Sequence, residues 1–405
     1  MAEVSLSTTC AIVGGGPAGM MLGFLLARAG IDVVVLEKHG DFLRDFRGDT
    51  IHPSTLELMY ELGLLDDFLK LPHQKAPTLT AQFGDLDVTM ADFSHLPVHG
   101  RYIALIPQWD FLNFLAERAK RFAGFRLFMQ AEAIDLIEQS GRVVGLRAST
   151  AGGPVEIRAR LVVGCDGRHS TIRDKARLEV QNFGAPIDVL WFRISRRADD
   201  PAQLMGRFGP GHIAVMLQRG DYWQCAFVIS KGSMEKVKSE GLPAFRARLA
   251  VALAPFLRDR VEEIADWDQV KLLTVLVDRL KRWHRPGLIC IGDAAHAMSP
   301  VGGVGINLAV QDAVATGNIL ADPLRRGDVD DDDLQRVQRR RELPTRLTQR
   351  LQLVLQNRVI KGALDSTQAF QPPWFVRLLA KFAFLRRIPA RLIGMGFRPE
   401  HVRIV

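Results

Sequence analysis

The hexapeptide "GGGPAG", Gly14 to Gly19, constrains this 405-residue chain more than any other stretch. It sets Gly14, Gly16 and Gly19 in a G-x-G-x-x-G spacing. A β-rich run, "TTCAIV", precedes it, and "PAGMMLGFLLARAG" follows with apolar residues at helical spacing and Gly30 at its end. The next run, "IDVVVLEK", is continuously apolar, as a parallel strand buried on both faces must be. The order is β-α-β. In such a unit the first glycine permits a tight turn, the second lets a pyrophosphate approach the backbone, and the third lets helix pack on strand. The helix N-terminus adds free N–H groups and the positive end of its dipole. Glu37 closes the second strand about 20 residues on, where a ribose hydroxyl needs an acceptor. Pro17, Ala18 and Lys38 adjoin these groups and are assigned to the same dinucleotide site.

The segment from Val4 to Ala27 carries no charge, yet the glycines and Pro17 in its middle, and the lack of a basic leader, argue against a signal peptide or a membrane span. Cys10, Cys165, Cys225 and Cys290 are far apart and show no metal-ligand spacing, so neither a disulfide framework nor a metal site is indicated. A reducing cytoplasm is the expected setting. The net charge of +8 is unevenly spread. From Arg336 onward fifteen Lys/Arg face only Glu342, Asp365 and Glu400, an excess of twelve that leaves the rest of the chain at −4. These basic residues alternate with apolar helix formers and match no nucleic-acid motif, so nucleic acid is excluded as a partner.

"PSTLELMYELGLL" and "QWDFLNFLAERAKRF" predict amphipathic helices, and "EAIDLIEQSGRVVGLRAST" predicts a hairpin turning at "SG". Between about residues 181 and 276, "APIDVLWFRIS", "GHIAVMLQRG" and "YWQCAFVIS" have the pattern of an antiparallel sheet, and the chain then returns to a buried strand in "GLICIG". The expected architecture is α/β: a Rossmann-type domain in three parts (1–75, 101–180 and 277–345), an inserted β-sheet substrate domain in two parts (76–100 and 181–276), and a basic helical region (346–405).

Two further stretches repeat the strand–turn logic. "GCDGRHSTIR" places Asp166 and Gly167 after a strand, a pair that alone is as often a plain turn. "GDAAHAMSPVGGVGINLAVQDA" places Gly292 and Asp293 at a strand end, then a glycine loop entering a helix. Asp293 can accept from a polyhydroxyl chain, and backbone N–H groups of Gly303, Gly305, Ile306, Asn307 and Leu308 suit a ring system that becomes anionic.

In order and spacing these three stretches resemble the flavin-dependent aromatic hydroxylases of the para-hydroxybenzoate and phenol hydroxylase family, over roughly residues 8 to 345. The resemblance implies FAD as cofactor, with Gly14 to Gly19 and Glu37 on its ADP half. It implies Asp166 and Gly167 near FAD and the nicotinamide donor, Asp293 on the ribityl chain, and Pro300 with the loop after it against the isoalloxazine. Arg47 of "FRGD", Gln108 of "IPQWDFL" and Ala133 are assigned to FAD on the same basis. The implied reaction is hydroxylation of an aromatic or polyketide-like molecule with NAD(P)H and O2, through a flavin C4a-hydroperoxide. A second dinucleotide fingerprint is missing, as is the tryptophan pair of flavin halogenases.

Asp49, in "GDTIHPSTLE", matches an acid of the phenol hydroxylase branch and is the candidate base, with His52 next to it in rank; a turn-capping Asp49 is the alternative. His169, His212 and His296 are weaker candidates. Trp191, Phe192, Arg193, Met216 and Trp223 lie on the strands expected to line the pocket, with the inward face left open. Two other functions stay open: a flavin-dependent reductase of an isoprenoid or quinone, and an idle ligand-binding flavoprotein. The basic tail "PPWFVRLLAKFAFLRRIPARLIGMGF" is expected to be a helix pair packed on the FAD domain, with peripheral contact to an anionic membrane as the alternative.

Overall fold

The computed structural model describes residues 4–43, 49–201, 205–366 and 372–404, with the side chain of Met205 left aside. Five parallel strands form the spine of an eight-stranded sheet: Leu288–Cys290, Gly153–Gly164, Val4–Val13, Val33–Leu36 and Phe125–Phe128, in that spatial order. The hairpin Ala131–Gln139/Arg142–Thr150 joins its side through Gly153–Gly164. It turns at Ser140 and Gly141, both at positive φ (51° and 77°), the geometry that matches strand twist in two-residue hairpin loops.

The helix Pro17–Arg28 is buried from Ala18 to Ala27, which is why it is apolar all round. It lies between the sheet and the helix Gly305–Arg326, sharing one core with both. A Cβ at Gly23 would stand 2.8 Å from a Val35 methyl group, so a side chain there would push the helix off the strand. The next helix, Asp331–Leu355, opens on an Asp330/Asp333 capping box and passes Pro344 without ending. It therefore runs straight through position 345, where the sequence reading set a domain edge.

The second large sheet has seven strands, in the order Lys271–Leu273, Ile187–Ser195, Tyr222–Ser230, His212–Arg219, Met205–Gly209, Thr78–Phe83 and Leu86–Asp92. It unites residues from two distant parts of the chain. The period of two along each strand divides its side chains between two cores. Phe192, Met216 and Trp223 face the helix Leu242–Ala252 and the turn after it, packing with Phe245, Leu249 and Leu257. Trp191, Phe208 and Val215 face the opposite way, toward Val301 and Ile360.

The C-terminal helices Trp374–Lys381 and Arg387–Gly394 meet the expectation only in part. The first packs on the edge of the seven-stranded sheet; the second packs on that edge and also on FAD-domain segments at His52, Ile103 and Leu105. Val376 and Leu379 meet Ala81, Phe83 and Val88, while Ala390 and Met395 meet Ala91 and Phe93. Their apolar faces fit a β-sheet that would otherwise be open to water.

Candidate active site

At the tips of the parallel strands, the three fingerprint glycines differ in what surrounds them. A Cβ on Gly14 would stand 2.3 Å from the carbonyl oxygen of Cys165, at a φ of +104°. One on Gly19 would stand 2.0 Å from the carbonyl oxygen of Gly14. One on Gly16 meets nothing within 4 Å. The first and third positions are closed by backbone; the second faces open space at the start of a helix that begins with Pro17. That is a cradle for a pyrophosphate, and it is the observation by which these residues fit FAD. Ala18 is buried beneath the loop. Glu37 is buried and accepts from the backbone N–H groups of Gly15 (3.0 Å) and His39 (3.0 Å), which fixes its carboxylate at the strand end beside the cradle. Lys38 follows it and is exposed.

Asp166 does something more local. Its carboxylate accepts from Ser170 Oγ at 2.5 Å and from the N–H of Ile172 at 3.1 Å, holding the turn at Gly167 (φ +84°) against the following helix. Burial raises its carboxyl above the usual range. Asp293 stands nearby on the neighbouring strand end and is half-buried, with Arg168 at 3.6 Å. Gly292 adopts φ +60° and donates to Asp312 at 3.1 Å. Ala133 sits inside the hairpin strand opposite Ala148, buried in the core. Arg47 lies outside the described residues.

Beyond Pro300, Gly302 and Gly303 both take positive φ (82° and 63°), and the helix starts at Gly305 with Ile306 and Asn307 in its first turn. Asn307 spends its side chain on the segment from Thr50 to Thr55. Its Oδ1 accepts from His52 N–H (2.9 Å) and Thr55 Oγ1 (2.7 Å), and its Nδ2 donates to the Thr50 carbonyl (3.2 Å). It bolts the glycine loop to the segment that carries Asp49 and His52.

His52 is fully buried. Its Nδ1 donates to the Ile393 carbonyl (2.8 Å), which leaves Nε2 as an acceptor without a partner among the described residues. A Cβ on Gly303 would stand 3.5 Å from that Nε2, so the imidazole faces the glycine loop. Burial pulls its pKa down to about 4, which keeps the ring neutral.

Asp49 is also buried, and it is not free. It accepts from Gln108 N–H at 3.1 Å and pairs with Arg219 at 3.0 Å. Arg219 in turn donates to Gln224 (3.0 Å) and to the Asp49 carbonyl (3.4 Å). Desolvation outweighs the Arg219 attraction and raises the Asp49 carboxyl; the same burial draws the Arg219 guanidinium down. Gln108 thus acts through its backbone, as the first residue of the helix Gln108–Ala119. His296, by contrast, is spent on a buried pair with Asp312 at 2.5 Å.

Between the glycine loop and the inner face of the seven-stranded sheet lies a mostly apolar cavity of about 320 Å³. Val301 and Asn307 bound it on the loop side, Phe83 and Val215 on the sheet side, and Phe375 and Ile393 on the side of the C-terminal helices. The glycine loop therefore borders the apolar chamber on one side and meets the segment that carries Asp49 and His52 on the other.

The model of the family described as FAD binding domain matches residues 7–350. The chain belongs to this family. Its similarity extends to 6-methylpretetramide 4-monooxygenase of Streptomyces rimosus, 29% identical over 90% of this chain and 87% of that protein. A Bacillus subtilis protein described as an uncharacterized aromatic compound monooxygenase is 28% identical over 76% of this chain, and the match covers 60% of that relative's length. Among solved structures, p-nitrophenol 4-monooxygenase from Pseudomonas putida superposes with a TM-score of 0.74 at 20% identity, covering 97% of this chain and 99% of that one, a likeness of fold. With these relatives, this member of the FAD-binding family is an FAD-dependent monooxygenase.

Sequence reasoning missed several residues of this flavoprotein's site. Arg219, partner of Asp49, lies 170 positions away on another sheet, and nothing local marks it. Phe192, Met216 and Trp223, considered for the pocket, point to the opposite core. The tail helices that wall the cavity were visible as amphipathic segments, but their target was not.

Proposed function

We propose that this enzyme hydroxylates a multi-ring aromatic or polyketide-like small molecule, taking electrons from NAD(P)H and oxygen from O2. The mostly apolar cavity beside the glycine loop carries the reading: about 320 Å³ lined largely by apolar side chains suits a ring system. Bound FAD supplies the redox chemistry that activates oxygen. The chain's own residues do the rest. Gly14, Gly16 and Gly19 hold the pyrophosphate, Asp293 the ribityl hydroxyls, and Pro300 with the loop after it the ring. Asp49, held at one geometry by Arg219 and Gln108, orients or accepts the proton of a substrate hydroxyl. The setting proposed is the cytoplasm. Among the described residues no helix is long and apolar enough to cross a membrane.

The relatives' substrates favour this class, since the Streptomyces rimosus relative is named for a pretetramide. The test is substrate-stimulated consumption of NAD(P)H and O2 across a panel of phenolic and quinone compounds. Consumption of both, with hydroxylated product, supports the proposal. Nicotinamide oxidation alone means a reductase, and consumption of neither means a ligand-binding flavoprotein.

Peripheral contact with an anionic membrane through the C-terminal helices belongs to the same proposal. Trp374, Phe384 and Ile388 are 74%, 63% and 60% exposed, with Arg377, Lys381, Arg387 and Arg391 exposed beside them. No acid occurs from Gln371 to Pro399. Aromatic and basic side chains on one surface suit a charged lipid interface.

A further inference from the structure

A buried polar cluster joins the helices Gly305–Arg326 and Asp331–Leu355. Asp312 accepts from Arg341 Nε at 2.9 Å, in addition to Gly292 and His296. Arg341 Nη1 donates to Glu400 at 3.2 Å, and Arg340 grips the same carboxylate at 2.7 and 3.0 Å. Gln311 accepts the backbone N–H of Glu400 through its Oε1. Two nitrogens are left over. Arg341 Nη2 and Gln311 Nε2 have no hydrogen-bond partner among the described residues, although the two side chains are 1% and 4% exposed. Buried donors without acceptors are rare in folded proteins and call for a reason.

Both residues line the apolar cavity, and both are tied to Glu400, so they belong to one end of it. We propose that Arg341 and Gln311 form a subsite that receives a neutral acceptor oxygen, such as a ring ketone or amide carbonyl, on the molecule that fills the cavity. Neutrality follows from the charges: the guanidinium groups of Arg340 and Arg341 are already matched by the carboxylates of Asp312 and Glu400. A ligand carboxylate would enter an apolar chamber with no cation to spare. A carbonyl meets two donors at no charge cost, and a site built to bond an oxygen rejects the analogue that lacks it. The inference rests on the cavity being the substrate site and specifies what that substrate carries.

The matched probes are xanthone and xanthene, one three-ring skeleton with and without the carbonyl. Binding to the FAD-loaded, oxidised protein is followed by perturbation of the flavin absorbance. Xanthone is expected to bind at least tenfold more tightly than xanthene. Gln311→Glu keeps the oxygen that accepts from Glu400 but loses the amide donor, and should lower the xanthone preference several-fold with xanthene affinity and FAD content unchanged. Gln311→Met provides the second variant and should do the same. Equal affinity for the pair, no binding of xanthone, or an unaltered preference in both variants overturns the subsite. Tighter binding of xanthene-9-carboxylate than of xanthone overturns its neutrality. Because no turnover is involved, these results are independent of the NAD(P)H and O2 assay that tests the monooxygenase reaction.

Discussion

The nucleotide cradle and the apolar cavity share the helix Gly305–Arg326, which packs on the cradle's helix and lines the cavity, yet they are made in different ways. The cradle is backbone. It comes from strand ends, one helix start and glycines whose missing side chains are its defining feature. The cavity is side chain. It is assembled from a strand pair near residue 80, two strands near 210, two long helices and a C-terminal segment. Backbone sites are fixed by local residue type and spacing, whereas side-chain sites depend on which face of each element turns inward.

Substitutions should separate the two kinds of site. The largest effect is expected from Gly19→Ala, whose Cβ would fall 2.0 Å from a backbone oxygen that cannot move aside. FAD retention should be lost and the melting temperature should drop. Gly16→Ala meets no protein atom within 4 Å, so it should fold normally and lose only FAD. If both variants melt like the wild type and remain yellow, the cradle is misassigned.

His52 faces the glycine loop, and its pH signature comes next. Its folded pKa of about 4 lies below the usual histidine value of about 6.5, so the unfolded chain binds the proton more readily. The stability it contributes is complete above pH 6.5 and is lost as pH falls toward 4, about 3 kcal/mol in all. His52→Gln should flatten that part of the curve in denaturant titrations at pH 7, 5.5 and 4.5. An unchanged pH slope would remove His52 from the account.

Asp293→Ala should weaken FAD binding by about 1–3 kcal/mol, the worth of one hydrogen bond to a polar cofactor chain. Equilibrium dialysis of FAD measures it, and undiminished affinity would mean that Arg168 alone engages that carboxylate. For the proposed base, Asp49→Asn keeps the shape of the pair with Arg219 but removes the charge. It should retain FAD and NAD(P)H oxidation while releasing hydrogen peroxide, with hydroxylated product per NAD(P)H down about tenfold, some 1.4 kcal/mol. Wild-type coupling would make Asp49 a structural anchor of Gln108 and Arg219. The smallest effect concerns the cavity's outer wall. Arg387→Ala or Lys381→Ala should each weaken salt-sensitive co-sedimentation with phosphatidylserine vesicles by about 1 kcal/mol. No binding by the wild type would leave these helices as walls only.

The same contrast explains what could be read from the sequence. The β-α-β unit, the hairpin at Ser140–Gly141 and the glycine loop before Gly305 were legible because glycine, proline and apolar runs encode backbone geometry directly. The α/β architecture with a second sheet followed from strand order. The inward face of that sheet did not, because Trp191 and Phe192 differ by one position and only tertiary packing says which turns to the cavity. Nor did the pairing of Asp49 with Arg219, since buried ion pairs between distant segments leave no local pattern. The tail shows the same limit: its amphipathic helices were evident, but an apolar stripe does not name its partner, and the seven-stranded sheet shares with the FAD domain the place expected of the latter alone.

The carbonyl of Ile393 that holds His52, and the carbonyl of Ile404 that receives Arg28 at 3.5 Å, tie late residues to early ones. Arg28 and Ile404 are separated by 376 positions. At a synthesis rate of about 5–20 residues per second, the first helix waits roughly 20–75 seconds for that partner to be made. During this interval the fingerprint loop can form, but the chamber beside it has no wall and His52 no acceptor. The residues assigned to the flavin, up to Asn307, thus leave the ribosome ahead of Phe375 and Ile393, which complete the wall of the cavity.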